Sequence, residues 1–416
     1  MPNSTLTIDV IAKEALMILD NNLVMAKNVY RGLESDFGNA MNGYQAGDTV
    51  SMRRPTDFTV RDGATASAQD VVEGSVALTV NKQKGVDFKF TSKELSLNIR
   101  ELSDRVIKPA MVQLANQVDS DLMSLYTQVP NWAGTPGQTI NSYTDFAKGP
   151  ERLDEFGVGM DMRSAVLSPA DHWALLGSQT SLYIQDAAKG AYRKGSLGEI
   201  GGVDTYMAQN VPTHTTGNFA GTVLIDQTLN TSTTTYDSVK STMVQTIHMD
   251  GFTTAAAVVK AGDVFTIAGV WAVNPVTKAR LPFLRQFTVT ADATMASNEG
   301  DLIVSPPLIW TGAFKTVDID SGTTDLNNAA VTFLGSQSTG YRQNMVFQKN
   351  AFALAMVPMV RPPGAVEVAR ESYKGTSVRL IPTYNGTSDE SNFRLDILYG
   401  FKAIDPRLAT RLSGTA

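Results

Sequence analysis

Apolar positions recur at helical spacing in two places in the first third of the chain. Over residues 6–30 they fall at Leu6, Val10, Leu16 or Met17, Leu19, Leu23 and Val24, with Asp9 placed to cap the N-terminus and Asn21-Asn22 placed to break the run. Over residues 95–126 the stripe is longer: Leu95, Ile99, Leu102 and Val106, then Met111, Leu114, Val118, Leu122 and Leu125, in steps of three and four. Pro109 interrupts this ladder, because it has no N–H to donate and crowds the carbonyl four residues back. The spacing predicts one long helix bent at Pro109, about 45 Å end to end if continuous. A helix of this length reads as a strut.

Between the two stripes the period drops to two. Residues 47–55 (GDTVSMRRP) read as a turn and a strand ended by proline, and residues 61–75 are small and polar. Residues 76–80 and 86–90 read as strands joined by residues 81–85, with Val86, Phe88 and Phe90 on one face of the second. The pattern predicts a two-stranded hairpin arm, marginal by itself and in need of support from a neighbouring subunit. After the strut, residues 163–167 (RSAVL) form a short strand. Ser168-Pro169-Ala170-Asp171 then starts a helix, with serine as cap, proline at the first position and aspartate in the first turn. From about residue 223 to 341 threonine, valine and glycine dominate. Short strands are predicted there at 242–249, 263–270, 286–291, 301–304 and 308–311, as in a small barrel or sandwich. Beyond residue 344 the strands lengthen and read as a sheet resuming an earlier fold.

Composition narrows the function. The 416 residues are 43% hydrophobic, enough for a sizeable core, yet only 18% charged, which points to a surface largely engaged with other protein. A net charge of −6 lacks the footprint of a dedicated nucleic-acid binder. The absence of cysteine excludes disulfides, thiolate zinc sites and cysteine nucleophiles. No apolar run approaches a bilayer span, and the acidic N-terminus does not read as a signal peptide, so a reducing cytoplasm is the expected place of synthesis.

Chemical candidates are weak. His172, His214 and His248 are scattered along the chain and read as packing or surface residues. Asp318, Asp320 and Asp325 around Ser321-Gly322 misplace the glycine of a calcium loop and lack its closing glutamate. Gly157-Val158-Gly159 lacks the third glycine of a dinucleotide loop, and Glu151, Asp154, Glu155 and Asp161 read as a solvated face. No catalytic, cofactor or metal site is expected.

The order of parts resembles the major capsid proteins of tailed double-stranded DNA bacteriophages, in particular the short-tailed lambdoid-phage coat proteins that carry an extra β-barrel domain. The residues that carry the resemblance are Met25-Ala26-Lys27-Asn28-Val29, Gly47-Asp48-Thr49-Val50 with Arg53-Arg54-Pro55, and Val166-Leu167-Ser168-Pro169-Ala170-Asp171. Further along come Lys260-Ala261-Gly262-Asp263 with Ala268-Gly269-Val270 and Asn274-Pro275, and the ending Asp396-Ile397-Leu398-Tyr399-Gly400 through Asp405-Pro406-Arg407-Leu408-Ala409. The resemblance implies an α+β fold of the tailed-phage and herpesvirus major capsid type (Hong Kong 97-type). It implies an N-terminal arm over residues 1–45, an extended hairpin loop over 46–92, and a spine helix with peripheral domain over 93–150. An axial domain over 151–222, an inserted all-β barrel over 223–343 and a closing sheet over 344–416 complete it.

The resemblance also implies partners. Copies of the chain are expected to form hexamers and pentamers of an icosahedral shell. A scaffolding protein, a portal protein and packaged double-stranded DNA held without sequence-specific binding are expected beside them, with no membrane. Asp9 and Glu14 on the N-terminal helix are the expected docking site for the basic end of the scaffolding protein. Arg53 and Arg54 at the arm's base are expected to pair with carboxylates of an adjacent subunit, and barrel loops near Asp237 and Asp250 to touch neighbouring capsomers. Covalent cross-linking through Lys82 or Lys84 is not expected in the branch with the inserted domain. The main rival reading is a secreted or surface β-rich binding module of the adhesin type; a hydrolase built on carboxylates is the second.

Overall fold

A computed structural model describes residues 8–33, 49–54, 56–61, 63–65, 68–91, 103–179, 197–253, 256–362 and 368–415. The chain divides into two compact units. The first comprises Met1–Met52, Ala77–Leu122 and Phe352–Lys402, and the second Arg53–Val76, Met123–Ala351 and Ala403–Ala416.

In the first unit, helix α1 (Ile8–Asn22) buries Ile11, Ala12, Ala15, Leu16 and Leu19. That face packs on the strands Ala369–Tyr373 and Thr376–Asn385. Leu16 rather than Met17 points inward, since Met17 is 64% exposed. Asp9 is not a cap: it lies inside the first helical turn, where its carboxylate still favours the positive end of the helix dipole. The helix stops at Asn22, whose side-chain amide donates to the Ile18 carbonyl at 2.7 Å, and a single turn, α2 (Met25–Asn28), follows.

The sheet of this unit runs Phe352–Met356, Glu390–Ala403, Thr376–Asn385, Ala369–Tyr373, and Lys82–Thr91 pairs antiparallel with Glu390–Ala403. This corrects the expected hairpin. Ser75–Thr79 pairs with Thr49–Arg53 instead of with the strand that follows it. The reason lies in the alternating face of Val86, Phe88 and Phe90. Phe88 stands opposite Phe393 with ring centroids 5.6 Å apart, Val86 opposite Leu395 and Phe90 opposite Ser391. An aromatic stripe gains more against an apolar strand than against Ser75–Thr79, whose own apolar side chains Val76 and Leu78 are already buried.

The strut also differs in detail. A π-helical turn (Ser103–Ile107) leads into α3 (Lys108–Met123), which tightens into a 3-10 turn (Ser124–Gln128). Pro109 therefore lies inside a continuous helical run that the described residues enter at Ser103, and the π-helical turn just before it is where the ladder departs from the α pattern that its missing N–H cannot complete. The predicted positions at residues 95–102 lie outside the described residues.

In the second unit a six-stranded sheet is ordered Trp132–Ala133, Ala409–Leu412, Asn344–Gln348, Arg163–Leu167, Val203–Met207, Glu199–Ile200. Arg163–Leu167 is buried at every position, as a central strand must be, and is parallel to Val203–Met207 and antiparallel to Asn344–Gln348. Helix α4 (Tyr143–Glu155) is capped by Ser142, whose Oγ accepts from the Asp145 N–H at 3.1 Å. Ser168 accepts from the Asp171 N–H at 3.2 Å and opens α5 (Pro169–Gln179), as its sequence predicts. Asp171 itself is buried and accepts from the Ile140 N–H and the Asn344 side-chain amide.

The β-rich region forms a seven-stranded sheet. Its order is Val317–Ile319, Val264–Val273, Arg280–Val289, Gly300–Ser305, Gln245–Phe252, Gly221–Ile225, with Val331–Phe333 also paired to Val264–Val273. Hydrogen bonds from the Ile225 N–H to the Ala329 carbonyl (3.1 Å) and from the Asn328 N–H to the Ile225 carbonyl (2.8 Å) nearly close it into a barrel. Phe265, Phe287, Ile247, Met249, Leu302 and Val304 fill its interior. The strand predicted at 308–311 is absent: Leu308 and Ile309 are buried, but in irregular chain whose N–H groups bond to Gln245 and Thr316 side chains.

Candidate functional site

The most exposed apolar part of the described chain is the excursion between the strands Thr49–Arg53 and Ser75–Thr79. Phe58 is 54% exposed, Val60 101% and Val71 65%. Among the described residues, backbone and side-chain hydrogen bonds join its two limbs. The Arg54 N–H donates to the Gly74 carbonyl at 2.8 Å, and Gln69 bridges to the Thr59 backbone in both directions at 2.9 and 2.6 Å.

Both arginines at its base have contacts within the chain. Arg53 pairs with Glu73 at 2.9 Å while 82% exposed, a contact worth about 0.2–1 kcal/mol. Arg54 turns inward beside Asp405, Arg407 and Tyr236, and burial lowers its pKa.

The outward stripe of α1 is Asp9, Lys13 and Met17, with Glu14 half-buried beside it. The lysine lies between the two acids, so the stripe is mixed in charge. Asp237 is 75% exposed and pairs with Lys240 at 2.7 Å on a single helical turn. Asp250 stands within the barrel strand Gln245–Phe252, beside a register shift, and its Oδ1 is buried with no hydrogen-bond partner. Gly251 next to it has φ +80, and a Cβ there would stand 2.0 Å from the Thr222 carbonyl oxygen.

The titratable candidates do not converge. His214 lies between the Tyr126 hydroxyl (3.1 Å) and the Asp263 carboxylate (2.8 Å), all within the second unit. His248 contacts Asp301 at 2.7 Å on the surface, and the hydrogen bond raises its pKa. His172 is buried on α5. Asp318 pairs with Lys315, Asp320 with Arg280 (2.8 Å), and Asp325 accepts from the Leu229 N–H (2.8 Å), so the three share no common centre. Glu151, Asp154 and Glu155 each face a cation, Lys148, Arg163 and Arg152 respectively. Gly157, with φ +66, ends α4 and is no nucleotide loop.

Two buried groups escaped the sequence reading. Arg411 is wholly buried between the Tyr126 and Trp132 rings and donates to the Val129 carbonyl (2.9 Å), the Gly262 carbonyl (2.6 Å) and the Thr288 hydroxyl (3.1 Å). Burial lowers its pKa to about 9. Asp263 accepts from His214 and from the backbone N–H groups of Gly217 and Lys260. The lysine-glycine-aspartate step at 260–263 was legible as part of a resemblance, but nothing local marks its aspartate as buried.

The family model of the P22 coat protein (gene protein 5) matches residues 2–414. The search of curated protein sequences gives no match. Among solved structures the chain is similar to one from Mycobacterium phage Che8, with 13% identity over 94% of this chain and 90% of that one and a TM-score of 0.47. It is similar to the asymmetric unit of the bacteriophage PhiM1 mature capsid (10% identity, 88% and 81% covered, TM-score 0.41). A further similar structure is the capsid of an empty GTA particle (9% identity, 93% and 92% covered, TM-score 0.40).

Proposed function

The chain belongs to the P22 coat protein family, and from that premise we propose that its copies assemble with a scaffolding protein into a procapsid that then matures into a DNA-filled head. As a member of that family it is a major capsid protein, a structural component of a phage shell. The observation that carries the assembly reading is the exposed apolar limb with Phe58, Val60 and Val71. A shell subunit needs such a surface, because each copy must bury area on its neighbours through contacts that are individually weak. The limb would lap an adjacent subunit, with a portal protein at one vertex and double-stranded DNA packed inside against a net acidic chain. Among the described residues no helix is long and apolar enough to cross a membrane.

The mixed stripe of α1 is the proposed scaffold contact, with Asp9 and Glu14 receiving a basic segment. Asp237 and Asp250 would serve contacts between capsomers through the barrel. Electron microscopy of the chain expressed alone and with its scaffolding partner tests this directly. Shells that close only, or only regularly, with the partner support the reading, and folded subunits that never assemble at any concentration or salt refute it. In the same assay Glu14→Lys should lower the yield of regular shells without altering the subunit's unfolding.

A further inference from the structure

The second unit contains a partly open cavity of about 50 Å3 whose wall includes Arg54, Asp57, Phe156, Arg285, Asp405 and Arg407. About 10–15 Å3 measured in this way holds one water, so the space admits several waters or one compact polyatomic ion. Its polar lining is unbalanced. The lining cations are Arg54, Arg285, Lys315 and Arg407, and the carboxylates are Asp57 and Asp405. Lys315 is neutralised by Asp318. Arg407 takes Asp405, donating to it through Nε at 2.9 Å and Nη2 at 2.7 Å, and Lys278 takes Asp57 at 3.2 Å.

Arg54 shares Asp405 with Arg407, and Arg285 is left over. Arg285 is only 3% exposed, its Nε has no hydrogen-bond partner, and its guanidinium stands 4.8 Å from the Phe156 ring centroid. The Nε of Arg54 is likewise buried without a partner. The charges that act on Arg285 are chiefly repulsive, from Arg407 and Arg152, with Asp405 alone opposing them.

A buried guanidinium with unmet donors is among the costliest groups a protein can hold. Water supplies acceptors but no charge. A tetrahedral oxyanion supplies both, and its paired oxygens match the planar fork of arginine. We propose that this cavity is an oxyanion site that takes one free inorganic phosphate or sulfate on Arg285, with Arg54 in the same wall. The small volume favours a free ion over a phosphate carried on a polymer. Because Arg54 adjoins the exposed limb and Arg285 belongs to the barrel strand Arg280–Val289, a bound ion would link these two segments.

The test is titration calorimetry of the purified full chain with inorganic phosphate, at constant ionic strength held with chloride, alongside thermal unfolding in the same buffers. The expected result is saturable binding at one site and a saturable rise in unfolding temperature. Arg285→Met, which keeps the volume and removes the charge, should weaken binding about tenfold or more, the worth of one hydrogen bond to a charged group. Lys260→Gln, at a lysine outside the cavity wall that pairs with Asp292 at 3.0 Å, should leave it unchanged. Should Arg285→Met fail to fold, Arg54→Met serves the same comparison. Absence of saturable binding by the parent chain, or undiminished binding by the arginine variants, would overturn the proposal and leave the cavity to water.

Discussion

Asp119 on α3 joins the strut to the N-terminal segment, and its contacts allow a sharp prediction. It is 2% exposed, and its two carboxylate oxygens accept from the Val24 N–H at 2.7 Å and the Ala26 N–H at 3.0 Å, the free donors that open α2. Burial raises its pKa to about 6 from 3.8, and the backbone hydrogen bonds, with Lys27, oppose that rise without cancelling it. The folded state therefore holds a proton on Asp119 over a pH range where the unfolded state has lost it. The associated stability is fully present below about pH 4 and is lost as the pH rises through about 6. Its size is about 3 kcal/mol, with a slope of at most about 1.4 kcal/mol per pH unit between those limits.

Asp119→Asn removes the titration and keeps one acceptor, so its stability should be flat where the parent's falls. Asp119→Ala leaves both N–H groups buried and unmet, at about 1–3 kcal/mol for each, partly offset at neutral pH by the loss of a buried charge. The assay is hydrogen exchange at the Val24 and Ala26 amides from pH 4 to 7.5, corrected for the intrinsic exchange rate, since a chain of two units need not unfold in one step. A parent slope of opposite sign, or the same slope in Asp119→Asn, would refute the reasoning.

Two further outcomes follow from the same structure. Serine at Phe58 and Val71 should change subunit unfolding by less than about 0.5 kcal/mol, because both side chains are already exposed, yet lower the yield or the denaturant resistance of assembled shells; equal shells from parent and variant would remove the limb from the interface. Arg411→Ala should destabilise the second unit by about 3 kcal/mol or more, through a cavity between two rings and carbonyls left unmet. Arg411→Lys should recover only part of that in urea unfolding, since an ammonium cannot reach the same partners in a plane.

Local patterning alone specifies much of this chain. Residues 163–171 show why: an apolar run, a serine cap, a proline with no N–H to lose and an aspartate in the first turn need only their chain neighbours to become a strand and a helix. The stripes of α1 and α3 follow from side-chain spacing alone, and the turn-rich threonine and valine region similarly announced a separate β architecture. Family resemblance added the order of parts, which no single fragment specified.

Other features depended on residues far apart in sequence. Val86, Phe88 and Phe90 declared a strand with one apolar face, but their partner strand lies about 300 positions away, where Phe393 and Leu395 present the matching surface. Alternation tells which side of a strand is buried and is silent about what covers it. Arg54 and Arg411 have the composition of surface residues, and only the packing of distant elements takes them out of water. For Arg411 that packing also delivers carbonyls from residues 129 and 262 to the guanidinium. Most helices and strands could be read locally, because periodicity, capping and turn chemistry act over a few residues, whereas the irregular chain at Leu308 and Ile309 is set by bonds to the distant Gln245 and to Thr316. Tertiary structure decided which strands pair, which charges are buried and where a cavity forms, because those depend on long-range contacts whose free energy exists only once the chain has closed on itself.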